Sequence, residues 1–75
     1  MFRYVYTPQQ LCSEELGDYT SFGICAQEQV QGAWVQRSFV SDVSVRQQSA
    51  EDLARLCTEG QLDPAHLMDV VEDFL

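Results

Sequence analysis

The sequence predicts an α+β domain, an antiparallel three- to four-stranded sheet followed by an αα-hairpin packed on one face. Three observations carry this reading. Apolar and polar residues alternate with period two through most of residues 2–46, apolar residues recur with helical spacing from residue 50 onward, and the two patterns do not interleave as βαβ units would. The aromatic residues agree with it, because seven of the eight precede residue 40. The strands supply the large side chains, and the helices supply Leu, Val and Met to cover them.

Phe2, Tyr4 and Tyr6 alternate with Arg3, Val5 and Thr7, giving a first strand with one aromatic face that ends at Pro8. Residues 10–16 read as a short second strand, closed by a Gly17-Asp18 hairpin turn. From Tyr19 to Gln27 the alternation is clear, with Thr20, Phe22, Ile24 and Ala26 on one face and Tyr19, Ser21, Gly23 and Cys25 on the other. Gly23 in mid-strand implies a bulge or a large neighbour leaning over it. After a turn at Gln29 to Gly32, a further strand runs from Ala33 to about Val45. Arg37 falls in phase with its apolar set, which requires either a register shift or a half-buried face.

Ser49 reads as the N-cap of a helix over about 50–59, with Asp52 three residues on. Ala50, Leu53, Ala54 and Cys57 form its stripe, Leu56 widens it, Glu51 pairs with Arg55, and Gly60 takes the left-handed position past the end. A second helix over 64–75 is started by Asp63 as cap, Pro64 at the first helical position and Leu62 stapling onto Leu67. Leu67, Val70, Val71 and Phe74 form its stripe, widened by Met68 and Leu75, and Phe74 is expected to be buried deeply enough that its loss unfolds the protein. Asp69, Glu72 and Asp73 gather on the opposite side.

A chain of 75 residues makes one domain, with a sheet part over 1–46 and a two-helix part over 49–75, and buries only about 60% of its unfolded surface. Its 45% hydrophobic content is too high for a disordered segment, although the net charge of −8 leans that way. No basic region followed by an apolar run, and no bilayer-length apolar stretch, is present, so the expectation is a cytoplasmic protein without a membrane anchor. Three widely spaced cysteines, Cys12, Cys25 and Cys57, do not describe a disulfide framework and read as free thiols. There is no lysine, which excludes Schiff-base chemistry by a lysine side chain. Residues 1–48 carry five acids against three arginines, and 49–75 carry seven against one. That balance opposes binding to a phosphate backbone and favours either plain solubility or a basic partner.

The residues Phe22-Gly23-Ile24, Asp42-Val43-Ser44 and the run from Leu62 to Leu75 resemble a family of short bacterial proteins with no assigned function. The resemblance covers most of residues 19–75, its specific part being the terminal run. It implies a bacterial, cytoplasmic, non-secreted protein and nothing about chemistry.

Sites with chemistry are weakly supported. Cys12, Cys25, Cys57 and His66 could be summed to a zinc set, but none is spaced as a ligand pair, so no metal or cofactor is expected. His66, Asp69 and Asp73 share a helix face that reads better as an ordinary solvated one. With His66 as the single histidine, the candidate nucleophiles Cys57, Ser41 and Ser44 have no supporting motif. Glu14-Glu15 and Glu72-Asp73 are adjacent carboxylates that do not face each other across a cleft. The reading is of a non-enzyme.

What stands out is acidity at the end of the chain. Asp69, Glu72 and Asp73 crowd the negative end of a helix dipole, so an internal arginine, Arg37 or Arg46, or simply water and salt should offset them, the functional reading being a partner's basic surface. The leading expectation is a protein-binding adaptor or regulator that offers this acidic face, or a strand edge, to a basic protein. The alternative is a structural homo-oligomer paired through strand edges or the helical face, and acidic mimicry of nucleic acid is a weaker variant of the first.

Overall fold

The computed structural model describes residues 1–74. Strands β1 (Phe2–Ser13), β2 (Gly17–Val30) and β3 (Ala33–Ser44) form an antiparallel meander in the order β1-β2-β3. Helix α1 (Gln47–Glu59), a single 3-10 turn (Pro64–His66) and helix α2 (Leu67–Phe74) follow. The architecture is the α+β layering expected, with both helices on one face of the sheet.

The two early strands of the sequence reading are one. β1 runs through Pro8 without interruption, pairing Pro8 with Phe22 and Leu11 with Tyr19. Proline is tolerated because β1 is an edge strand. Phe2 and Tyr4 direct their amides away from β2, toward Gln61 and Thr58, and the period of two sends Pro8 the same way. The ring therefore removes no ladder bond. The first turn lies at 14–16, just before Gly17, rather than at Gly17-Asp18. The second turn is Gln31-Gly32, with φ of 51° and 83°, the paired positive values of a primed hairpin turn.

β3 carries two irregularities. Between Gln36 and Ser38 the register slips by one residue, so Arg37 lies toward the helical face and pairs with Glu28 at 2.9 Å. Farther on, Ser41, Asp42 and Val43 stand opposite Gly23 alone, with Asp42 left-handed at φ 54°. This wider bulge sends both Val40 and Val43 into the core. Gly23 is required there: an added Cβ would lie 2.7 Å from Phe39 Cζ and 2.8 Å from the Val40 carbonyl oxygen. The gap predicted in mid-strand is thus filled by the Phe39 ring and the bulged backbone together.

One core lies between sheet and helices. Tyr4, Ile24, Ala26, Val40 and Val43 meet Leu53, Ala54, Cys57, Leu67 and Val71, with Phe2, Tyr6, Leu62 and Val70 packed at its margin. Tyr6 and Phe22 meet edge to face at 6.1 Å between centroids. Burying these apolar side chains is the main favourable term for a chain this short.

The helix ends depart from expectation in several places. α1 starts at Gln47, three residues earlier than a cap at Ser49 implies, with Arg46 at the N-cap and no side-chain cap. Ser49 is inside the helix. The ladder begins with the Ala50 amide donating to the Arg46 carbonyl, because Ser44 and the end of β3 deliver the chain directly into it. Arg55 pairs with Asp52 at 3.0 Å, not with Glu51. Gly60 is right-handed at φ −81°, and the left-handed residue is Gln61 at φ 49°. The reason is visible in its side chain: Gln61 accepts from the Phe2 N–H and donates to the Phe2 carbonyl, both at 2.9 Å. Those two bonds hold a conformation that glycine would otherwise take.

Asp63 caps as expected, accepting from the Ala65 amide at 3.0 Å, with Pro64 in the first helical position. The predicted helix over 64–75 is divided, its first turn being 3-10 and only Leu67–Phe74 α-helical. Leu67 and Val71 are buried, but Phe74 is 43% exposed, Met68 is exposed, and Leu75 lies outside the described residues. Leu56 likewise does not widen the core stripe of α1, being 59% exposed.

Candidate functional site

The side chains displaced from the core outline a groove. α1 rests mainly on β1 and α2 on β3, so the two helices are seated over different strands of the sheet. Between them lies a cleft of about 450 Å³ lined by Leu53, Leu56, Cys57, Leu62, Val70 and Phe74, with Gly60 and Asp73 at its margin. Leu53 and Cys57 belong to the core and form its floor, whereas Leu56 and Phe74, each about half exposed, stand as its walls. Exposed apolar walls over a buried floor are the form of a surface that gains by being covered.

Of the predicted site residues, Asp73 borders this cleft. Asp69 lies one turn before it on the same side of α2, whereas Glu72, about 100° away, turns from the groove. All three are exposed. Neither arginine expected to neutralise them does so: Arg37 is held by Glu28, and among the described residues no arginine forms an ion pair with Asp69, Glu72 or Asp73. Sequence reasoning found the acids but placed Leu56 and Phe74 in the core. A signal was present for Leu56, which sits at the margin of its stripe; Phe74 falls in the middle of its own, and only its place in the last turn of α2 sets it apart.

Other candidate groups are dispersed. Among the described residues no three of His, Cys, Asp and Glu come together as a metal-holding group. Cys12, Cys25 and Cys57 are free, Cys12 exposed and the other two buried. Burial pushes the Cys57 thiol up. Burial does the same to Cys25, partly opposed by its bond with Gln27 and by the charge of Arg3, whose guanidinium lies 4.2 Å over the Trp34 ring. A thiol shifted this way carries less thiolate and is a weaker nucleophile. His66 is exposed in the 3-10 turn. The Ser41 hydroxyl donates to Gln9 Oε1, and the Ser44 hydroxyl accepts from the Arg46 amide.

A polar cluster that the sequence did not announce holds the β3 bulge. The Asp42 carboxylate accepts from the hydroxyls of Tyr19 and buried Ser21, and its amide donates to Gln9 Oε1 at 2.8 Å. Donating to Asp42 raises the Tyr19 phenol above its ordinary value, since ionisation would break that bond and set two anions side by side. At the other end, Tyr4 donates its hydroxyl to the Leu62 carbonyl. Burial, with the negative charges of Cys57 and Asp63 nearby, pushes its phenol up to about 12. Both clusters satisfy buried or strained groups of the fold itself.

Among the described residues no helix is long and apolar enough to cross a membrane. No curated protein and no solved structure matches the chain. A family model does match it, over residues 1–75, so the chain that forms this grooved α+β domain belongs to the Family of unknown function (DUF6514).

Proposed function

We propose that this protein is a small non-enzymatic adaptor or regulator of the cytoplasm, and that it binds another protein through the groove between α1 and α2. The observation that supports this reading most is the exposure of Leu56 and Phe74 as apolar walls over a floor of Leu53 and Cys57. Burying apolar area stabilises by about 25 cal/mol per Å², so leaving two large side chains in water favours a state in which something covers them.

Strand edges support binding less. The outer edge of β1 is occupied at Phe2 and Tyr4 by Gln61 and Thr58 and carries Pro8, while β3 is bent by two bulges. Proline and bulges are devices that oppose edge-to-edge pairing. An enzymatic reading has little to work with in two buried thiols shifted toward the neutral form.

The test compares capture from the native cell by the parent, by Leu56→Glu and by a control on the opposite sheet face, Gln36→Glu. Leu56 is exposed on a helix, so glutamate preserves the fold while charging the groove. A protein retained by the parent and the control and lost by Leu56→Glu supports the reading; one retained by all three removes the groove from it. Light scattering at the parent's mass of 8.5 kDa accompanies the comparison. A dimer that Leu56→Glu dissociates would make a second copy the occupant.

A further inference from the structure

We infer that the segment accepted by the groove is a basic amphipathic helix of about two turns, an inference that rests on the groove being the binding surface. Its length follows from its walls. α2 has eight residues, and at a rise of about 1.5 Å each this gives a wall of roughly 12 Å, two turns of a facing helix.

The secondary structure of the occupant follows from what the walls lack. A bound strand needs a free sheet edge to supply donors and acceptors in register, but the groove is bounded by two helices and offers no such edge. A helix satisfies its own backbone and needs from the groove only an apolar seat. Anchors at i and i+3 or i+4 would meet Leu56 on one side and Val70 and Phe74 on the other.

The charge follows from the rim. Asp52 and Glu59 stand four residues before and three after Leu56, on the outward side of α1, and Asp69 and Asp73 occupy the corresponding side of α2. Four carboxylates therefore flank the apolar walls. One arginine, Arg55, engages one of them, Asp52. Lysine or arginine beside the apolar anchors of a partner would lie against this rim, whereas a second copy of a chain carrying −8 would set acid against acid.

The experiment uses the isotope-labelled full chain and three synthetic peptides of about twelve residues. The first has a leucine stripe flanked by lysines. The second keeps the stripe and replaces lysine by glutamate, and the third keeps the composition of the first with the stripe scrambled. The expected result is that the lysine-flanked peptide alone shifts amide resonances across residues 53–60 and 70–74. Its affinity should fall as salt is raised and fall roughly two- to five-fold for each of Asp69→Asn and Asp73→Asn, with Glu72→Gln unchanged.

Equal binding of the glutamate-flanked peptide at the same resonances would overturn the basic partner while leaving the groove as a binding surface. Equal binding of the scrambled peptide would reduce the effect to unspecific charge attraction and overturn the helix. Shifts on the sheet face, or none with any peptide, would overturn the inference; a native partner still lost by Leu56→Glu would then leave only the groove reading standing.

Discussion

Thr58 of α1 completes the edge of β1 at Tyr4. Its hydroxyl oxygen accepts from the Tyr4 N–H at 2.8 Å, while its proton serves the Ala54 carbonyl at 2.9 Å, with the Tyr4 carbonyl at 3.3 Å. A helix side chain thus stands where a fourth strand would otherwise pair. Thr58→Val keeps the shape and leaves the amide without a partner, which costs about 1–3 kcal/mol. Urea unfolding should report that loss, and hydrogen exchange at the Tyr4 amide should accelerate more than at its neighbours; unchanged exchange would show that the strap is incidental.

Leu67 and Phe74 lie on the same helix and should respond differently to truncation. Leu67 is fully buried, so Leu67→Ala is expected to cost about 2–5 kcal/mol and largely unfold a domain this small. Phe74 is 43% exposed, so Phe74→Ala should cost only about 1 kcal/mol and leave a cooperative thermal transition. A Phe74→Ala variant that melts like Leu67→Ala would restore the buried lid that the stripe of α2 suggests.

At Gly23 a methyl group would meet both the Phe39 ring and the Val40 carbonyl. Gly23→Ala should therefore destabilise by about 1–3 kcal/mol, the usual cost of overpacking. Adding Phe39→Ala should restore only part of this, because the carbonyl oxygen at 2.8 Å is backbone and remains. Full rescue by the double variant would assign the whole constraint to the ring.

Alkaline pH should unfold this protein by a defined route. Tyr4 titrates near 10 in the unfolded chain and is pushed up to about 12 in the folded one, so the folded state holds the proton more tightly. The resulting stability is fully present below pH 10 and is lost as pH rises toward 12. Tyr19, Cys25 and Cys57 are raised as well and act in the same direction, the thiols from about pH 9 upward. Tyr4→Phe should be less stable at neutral pH, for want of the bond to Leu62, and should lose less between pH 10 and 12. Parallel stability profiles for the parent and Tyr4→Phe would exclude Tyr4 as the source.

Replacing Asp69, Glu72 and Asp73 together by their amides should leave the fold intact and change stability by no more than a few tenths of a kcal/mol, because no arginine pairs with them and the gain at Glu72 and Asp73, near the negative end of the α2 dipole, is opposed by the loss at Asp69 in its first turn. Chemical denaturation tests this directly. A marked loss of stability would reveal a structural role for these acids.

The elements of this protein were legible in its residues because each is encoded locally. Period-two alternation at Tyr19–Gln27 and the spacing of Ala50, Leu53, Ala54 and Cys57 declare which side of each element meets the core, and Asp63-Pro64 declares where a helix starts. The ends and continuities were not local in origin. Pro8 reads as a strand terminator, yet it is harmless on an edge whose outward amides do not pair; Ser49 reads as a cap, yet the exit from β3 begins the helix earlier; Gly60 reads as the left-handed residue, yet Gln61 takes that conformation because Phe2, distant in sequence, rewards it with two hydrogen bonds. The groove belongs to the same class. Leu56 and Phe74 match their stripes in spacing, but whether such a residue is buried depends on how two helices that rest on different strands are placed. That placement is a property of how the whole core packs, from Tyr4, Ile24 and Val43 of the sheet to Leu53 and Leu67 of the helices, and no periodicity in a single segment contains it.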